Sequence, residues 1–305
     1  MAVPMPGGPG YVSDGGLETD LIYHYGFDLP EFAAFPLVEH EQGRAALARY
    51  FARVTDIARR AGANAVFEAP TWRANADWAA RLGYDAKALD ASNRSAISLL
   101  RRFADEADGV TDVAVAGVVG PRGDGYVAGE RADVDEAAGY HRAQLESFAA
   151  AGADFAFACT LTGPDEGAGI VRAANDVGIA VAISFTVETD GRLPDGSSLR
   201  AAIEQVDAVG DVAYFGVNCA HPSHIQFAIE PGDWLGRIGS VLPNASTKSH
   251  AELDEATELD EGDPAALAAD MRALRDELRA VSVVGGCCGT DTRHVAAMWG
   301  VSATD

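Results

Sequence analysis

The amino-acid sequence predicts an α/β protein, a single closed (β/α)8 TIM barrel forming one domain over residues 1–305. Three observations predict it. Eight short apolar runs with strand character are spaced along the chain. Amphipathic helical segments or long loops separate them. Most of the runs are near-continuous in apolar residues and lack strict alternation, the pattern of parallel strands buried on both faces. Eight strand–helix units in 305 residues match the usual size of such a barrel. An open, doubly wound sheet is the alternative, because periodicity alone does not show closure.

In chain order, the strands are expected at 11–14, 65–69, 113–119, 155–160, 179–187, 212–218, 238–242 and 281–285. Between the first two, Leu47, Tyr50, Phe51, Val54, Ile57, Ala58 and Ala61 form one apolar helical stripe. After the second, Leu89, Ser92, Ala96, Leu99, Leu100 and Phe103 repeat that spacing more loosely. Leu267, Met271, Leu274 and Leu278 mark the helix before the eighth strand. It opens with Asp263-Pro264, a good cap followed by proline at the first helical position. Asp291 is expected to cap a final short helix. The sequence contains no linker, obvious repeat or low-complexity block.

Composition narrows the function. The chain is 48% hydrophobic, and no stretch reaches the roughly eighteen consecutive apolar residues of a membrane helix. Residues 1–10 are rich in Gly and Pro without a basic flank, so no signal peptide is expected and the cytoplasm is the expected location. Four cysteines are too few for a disulfide framework; in a reducing compartment, clustered thiols point to metal binding or catalysis. The net charge is -23, and lysine occurs only at Lys87 and Lys248. Such a surface disfavours nucleic acid and anionic membranes as partners. It resists aggregation where salt screens self-repulsion, as in a high-salt source; an ordinary acidic protein is the alternative.

In this fold the active site lies at the C-terminal ends of the strands. Read there, the ends are Ser13-Asp14-Gly15-Gly16, Phe67-Glu68-Ala69-Pro70-Thr71, Val119-Gly120-Pro121, Cys159-Thr160, Ser184-Phe185-Thr186, Val217-Asn218-Cys219, Pro243-Asn244 and Gly285-Gly286-Cys287-Cys288-Gly289. Cys219 on the sixth strand and Cys287 with Cys288 on the eighth are expected to meet over the barrel axis and hold Zn2+. Three thiolates at Zn–S distances of about 2.3 Å leave one open position on a tetrahedral ion, as a catalytic site requires. The flanking glycines are expected to turn the backbone so that two consecutive side chains face one ion. Plain burial is the competing reading for a cysteine and is preferred for Cys159. A redox-active vicinal disulfide at 287–288 is a second alternative, and it leaves Cys219 without a role.

Gly216-Val217-Asn218-Cys219 together with Gly285-Gly286-Cys287-Cys288-Gly289 resembles the zinc signature of the homocysteine S-methyltransferases. That family includes the S-methylmethionine- and betaine-dependent enzymes and the homocysteine domain of cobalamin-dependent methionine synthase. The resemblance extends over nearly the whole chain, through Asp14-Gly15-Gly16-Leu17-Glu18-Thr19, Gly120-Pro121, Ser184-Phe185-Thr186 with Leu193-Pro194-Asp195-Gly196, and Pro243-Asn244. It implies a zinc held by Cys219, Cys287 and Cys288, with the thiol of homocysteine in the open position. It also implies that Asp14 holds the substrate ammonium. The family's second acidic anchor, at the end of the fourth strand, is replaced here by Thr160. Glu68, where the family carries a hydroxyl residue, is the candidate replacement; pairing with Arg73 is its competing role. Asn218, expected to orient backbone beside the zinc, and Asn244 complete the candidate substrate-binding set.

The expected reaction is methyl transfer from a sulfonium donor, S-methylmethionine or S-adenosylmethionine, to homocysteine, giving methionine. Betaine and a methylated corrinoid suit the same chemistry. No cobalamin or folate domain is expected beside the barrel in these 305 residues, and no Rossmann-type glycine loop is seen in them. A different thiol acceptor, a non-catalytic zinc- or thiol-binding protein and a redox protein are the alternatives. Trp72 and Tyr126 are expected near the donor pocket, His24 and Tyr25 over the site, and His221 and His224 at the rim.

Overall fold

The structure is a computed structural model that describes residues 3–129 and 132–303; Met1 and Ala2 of the Gly/Pro-rich start lie outside them. Among the described residues, eight parallel strands close in the order β1-β2-β3-β4-β5-β6-β7-β8, with β8 pairing back onto β1. The closed barrel is therefore the architecture, and the open sheet is excluded.

The elements run β1 (Tyr11–Val12), α1 (Leu17–Tyr23), α2 (Glu41–Ala61), β2 (Asn64–Glu68), α3 (Ala76–Arg81), α4 (Ala86–Asp105) and β3 (Val113–Val119). They continue through α5 (Val134–Ala151), β4 (Phe155–Leu161), α6 (Pro164–Val177), β5 (Val181–Phe185), α7 (Leu199–Asp207) and β6 (Phe215–Asn218). The chain then adds α8 (Pro222–Ala228), β7 (Ile238–Leu242), α9 (His250–Asp254), α10 (Pro264–Glu277), β8 (Val283–Val284) and α11 (Thr292–Met298). Every expected strand is present. β5 and β6 begin later than their apolar runs, because Ile179 and Val212 pack in the approach to the strand. β1 and β8 have only two residues each, yet the ladder continues past them: Ser13 N donates to the Val284 carbonyl at 3.0 Å and Gly286 N to the Asp14 carbonyl at 2.7 Å.

Two apolar layers hold the barrel. The inner one includes Tyr11, Val66, Phe155, Phe157, Tyr214 and Cys159, which fill the barrel floor. The outer one lies between strands and helices and takes the predicted stripes: Leu47, Phe51 and Val54 of α2, Leu99 and Leu100 of α4, and Met271 and Leu274 of α10. Each such side chain, fully buried, stabilises the fold by roughly 1.5–3 kcal/mol before entropy is counted. The caps fall where expected. Asp263 accepts from Ala266 N at 2.7 Å, and Asp291 accepts from Arg293 N at 2.8 Å to start α11.

Candidate metal centre and substrate cavity

Cys219 is the first residue beyond β6 and has φ 57°, in the left-handed region that side chains normally avoid. Its conformation is held by its carbonyl, which accepts from Asn244 Nδ2 at 3.0 Å, His250 Nε2 at 2.8 Å and Thr186 Oγ1 at 3.3 Å. A carbonyl only accepts, so His250 carries its proton on Nε2. The other ring nitrogen of His250 lies 2.9 Å from Glu188 Oε1. Cys287 and Cys288 are fixed through backbone: Cys287 N donates to the Pro243 carbonyl at 2.8 Å, and Ala245 N donates to the Cys288 carbonyl at 3.1 Å.

The glycines around the cysteine pair serve close approach more than turning. A methyl group on Gly285 would overlap the Asp14 carbonyl, and one on Gly286 would overlap Thr290 Oγ1. On the facing segment, a methyl on Gly16 would overlap the Cys287 carbonyl. Two glycine pairs thus let the ends of β1 and β8 pack backbone against backbone. Among these residues only Gly289 needs a left-handed conformation, with φ 78°.

The Sγ atoms of Cys219, Cys287 and Cys288 lie within 4.8 Å of one another, and Cys219 and Cys288 are 3.6 Å apart. Thiolates at about 2.3 Å from a tetrahedral ion would be about 3.8 Å apart, so this donor set suits zinc in both softness and spacing. All four cysteines are free, and Cys159 sits in the barrel floor, where burial pushes its thiol up. Hydrogen bonds from the Cys219 and Cys287 thiols pull Cys288 well below the usual thiol range. The Tyr126 hydroxyl lies 3.2 Å from Cys219 Sγ and 3.4 Å from Cys288 Sγ. Another cluster, His24, Glu261 and Asp291, brings its ligand atoms equally close together. There Arg293 Nη2 contacts Glu261 at 2.9 Å and Asp291 at 2.5 Å, so a guanidinium already supplies the cation.

The thiols open into a cavity of about 420 Å³ lined by Asp14, Glu18, Glu68, Trp72, Arg73 and Thr160, among others. Ser13 Oγ donates to Glu68 Oε1 at 2.6 Å and lies 3.4 Å from Asp14 Oδ1, so the two carboxyls share one hydroxyl. Burial raises Glu68 to about 7 against the pull of Ser13. Burial, and then the Glu68 charge, raises Asp14 well above the carboxylate range. Glu18, in the first turn of α1, is raised by burial to about 7. Arg73 does not pair with Glu68. Its guanidinium lies between Trp72 and Trp78, 4.2 and 3.6 Å from their rings, and donates to the Gly123 carbonyl at 3.0 Å. That contact ties the β2 loop to the β3 loop.

The other candidates separate into those facing the cavity and those behind it. Thr160 and Asn218 line it and bond to each other: Asn218 Nδ2 donates to Thr160 Oγ1 at 2.7 Å, and Thr160 N donates to Asn218 Oδ1 at 2.9 Å. This pair holds a β-branched residue at φ 59°, where β4 bulges against β5. Asn244, expected to touch substrate, lies behind the wall and reaches the Cys219 carbonyl instead. His221 and His224 are buried, not rim residues. His221 caps α8 by accepting from Ser223 N, and His224 Nε2 meets the Thr247 carbonyl at 3.1 Å. His24 binds Asp20 and Glu261, and Tyr25 lies beneath Arg49 and Arg53; neither lines the cavity, whereas Tyr23 does. Glu18 and His250 were not singled out from sequence. An acid in a first helical turn reads as ordinary dipole compensation, and His250 lies far from Cys219 in sequence.

A family model described as homocysteine S-methyltransferase matches residues 11–300. Among solved structures, the oxidized form of the homocysteine methyltransferase MmuM from Escherichia coli shares 23% identity, covers 94% of each chain and has a TM-score of 0.74. Its metallated form shares 22% identity over 96% of each chain, with a TM-score of 0.72. At that identity the structural likeness speaks for the fold. A search of curated proteins found no match.

Proposed function

The chain belongs to the homocysteine S-methyltransferase family, and from that premise we propose that it transfers a methyl group from a sulfonium donor to the thiol of homocysteine, giving methionine. One observation carries the reading: three cysteine thiols converge at a cavity whose wall holds the carboxyls of Asp14, Glu18 and Glu68. Cys219, Cys287 and Cys288 would hold zinc, which when bound lowers the pKa of the acceptor thiol and keeps it as the nucleophilic thiolate. The solved structure of a metallated form of MmuM supports that assignment.

The rest falls to side chains. Asp14 and Glu68, joined through Ser13, would bind the homocysteine ammonium. A cation at that point ionises both carboxyls and offsets their mutual repulsion. Glu68 thus takes the place of the family's acidic anchor, while the Thr160 hydroxyl is committed to Asn218. One ammonium and the single guanidinium of Arg73 leave the cavity acidic, because its lining also carries Glu18, Asp124, Asp254, Glu258 and Asp260. That imbalance favours a cationic donor. As the acceptor thiolate attacks the methyl carbon, the new S–C bond forms while the donor's S–C bond breaks and its sulfur takes the electron pair. The sulfonium charge disappears, so the carboxyls hold the donor more strongly than its neutral thioether product. Alignment by fixed side chains and exclusion of water account for the rate; no protein acid or base is needed.

The test uses zinc-loaded protein at high salt, homocysteine and the donors one at a time, with methionine followed by mass spectrometry. Methionine from one donor, abolished by Cys288→Ser, is expected. No methionine from any donor despite stoichiometric zinc would overturn the reading and point to a different thiol acceptor or a binding role.

A further inference from the structure

On the reading of the cavity as a methyl-transfer site, we propose that Arg73 is the receptor for the α-carboxylate of the methyl donor, so that the donor is an amino-acid sulfonium and not a simple sulfonium.

Arg73 is a buried charge without an anion. It is 7% exposed, and it is the only basic side chain among the described residues that line the cavity. Its one hydrogen bond among those residues runs from Nη1 to the Gly123 carbonyl at 3.0 Å, and Nε is buried without a partner. Buried charges are normally paired, and a guanidinium with free donors is suited to a carboxylate, which it can hold through two parallel hydrogen bonds. The neighbouring acids do not fill this role. Asp124, Glu18 and Glu31 act on Arg73 through charge alone, and burial still pulls its pKa down to about 10.

The group is also held in place before any ligand arrives. The Trp72 and Trp78 rings lie 4.2 and 3.6 Å from the guanidinium carbon, so both tryptophans support it by cation–π contact. Trp72 is itself fixed, because Nε1 donates to the Cys159 carbonyl at 3.4 Å and Gly120 N donates to the Trp72 carbonyl at 3.1 Å. Trp78 Nε1 donates to the Arg122 carbonyl at 3.1 Å. A fixed guanidinium loses little entropy when it binds, and an Arg is better matched than a Lys to such a stacked site.

Placement favours the donor over the acceptor. The acceptor's carboxylate shares a carbon with its ammonium, so it stays beside Asp14 and Glu68. Arg73 pairs with neither of them. Glu18 interacts with both Glu68 and Arg73, whereas the other charges acting on Arg73 are Asp124, Arg81 and Glu31. Arg81 and Glu31 form an exposed pair, so Arg73 faces the outer part of the cavity. A sulfonium amino acid brings a carboxylate into a lining that is otherwise acidic, and Arg73 is the group there that attracts it. S-methylmethionine and S-adenosylmethionine both carry that carboxylate.

The test titrates zinc-loaded wild type, Arg73→Met and Arg73→Gln with each of these donors and with its decarboxylated form, by calorimetry. Methionine formation is followed separately, and a crystal structure of wild type with the donor it binds more tightly gives the contact. We expect the affinity ratio of donor to decarboxylated form to fall at least tenfold from wild type to each variant, with homocysteine affinity unchanged. Mere loosening of the loop would weaken both members of a pair alike. A carboxylate oxygen is expected at about 2.7–2.9 Å from a guanidinium nitrogen. An unchanged ratio in a folded variant, loss of homocysteine affinity instead, or a carboxylate beyond about 3.5 Å from Arg73 would overturn the proposal. If neither variant folds, the distance decides. A falling ratio without methionine from any donor would overturn the methyl-transfer reading and leave the carboxylate receptor standing. No binding of either donor to wild type would overturn both.

Discussion

Glu68 sits at the end of β2 with Ser13 as its hydrogen-bond partner and a carboxyl raised by burial to about 7. Its charge is costly without a cation and useful with one. If it anchors the substrate ammonium, the wild-type KM for homocysteine rises as pH falls through about 7, because a neutral carboxyl cannot pair with the ammonium. Glu68→Gln is expected to raise that KM roughly ten- to a hundredfold, the scale of losing a charge-assisted hydrogen bond, with a smaller effect on kcat. An unchanged KM would remove Glu68 from substrate binding. Stability moves the other way. A carboxyl whose folded pKa is raised contributes stability below its unfolded value, and this is lost as pH rises through about 7. Ligand-free Glu68→Gln should therefore be more stable than wild type at pH 8 by about 1–3 kcal/mol and equal to it below about pH 4.5, measured by denaturant titration.

At the scale of elements, the centre depends on how closely the ends of β1 and β8 approach. Gly286 has no room for a methyl group beside Thr290 Oγ1, whose hydroxyl donates to the Cys287 carbonyl at 2.7 Å. Gly286→Ala is expected to destabilise the protein by about 1–3 kcal/mol, in the range of overpacked sites. It should also lower zinc stoichiometry by shifting Cys287, even where the variant remains folded. Full zinc content in a folded Gly286→Ala protein would show that the cysteine pair tolerates movement of its strand. The α11 cap at Asp291 packs against the same segment, since a methyl on Gly15 would press on its backbone. Cap, glycines and cysteines thus form one connected end of the barrel.

The whole molecule carries 46 acidic and 23 basic side chains outside histidine, a net charge of -23. Surface arginines are largely paired, as Arg122 is with Asp77 and Glu136. Exposed pairs are worth about 0–1 kcal/mol each and weaken in salt, whereas the unpaired excess repels across the surface. Screening shrinks from about 10 Å at 0.1 M salt to about 3 Å at 1 M, so relief of repulsion should exceed the loss of pairs. Raising NaCl from 0.1 to 2 M is expected to raise Tm by several degrees, at roughly 2–4 °C per kcal/mol for a chain of this size class. Highest stability in dilute buffer would refute the high-salt reading. No helix among the described residues is long and apolar enough to cross a membrane.

By itself, the sequence determined which segments are strands and which helical faces are buried, because both follow from local periodicity. The apolar runs at 113–119 and 238–242 coincide with β3 and β7, and Asp263 and Asp291 cap the helices expected of them. It also determined the three thiols, since Cys219 and the 287–288 pair lie at strand ends that barrel topology brings together. Only the tertiary structure decided what surrounds them. Asn244 and His250 turned out to brace Cys219, Arg73 to stack between two tryptophans, and Glu18 to enter the cavity beside Asp14 and Glu68. These contacts join residues remote in sequence, and the direction of a loop side chain depends on closure of the barrel. The glycines beside the cysteines show the same division. Their presence was plain in the sequence, but that they serve backbone contact between β1 and β8 became visible only once those strands stood side by side.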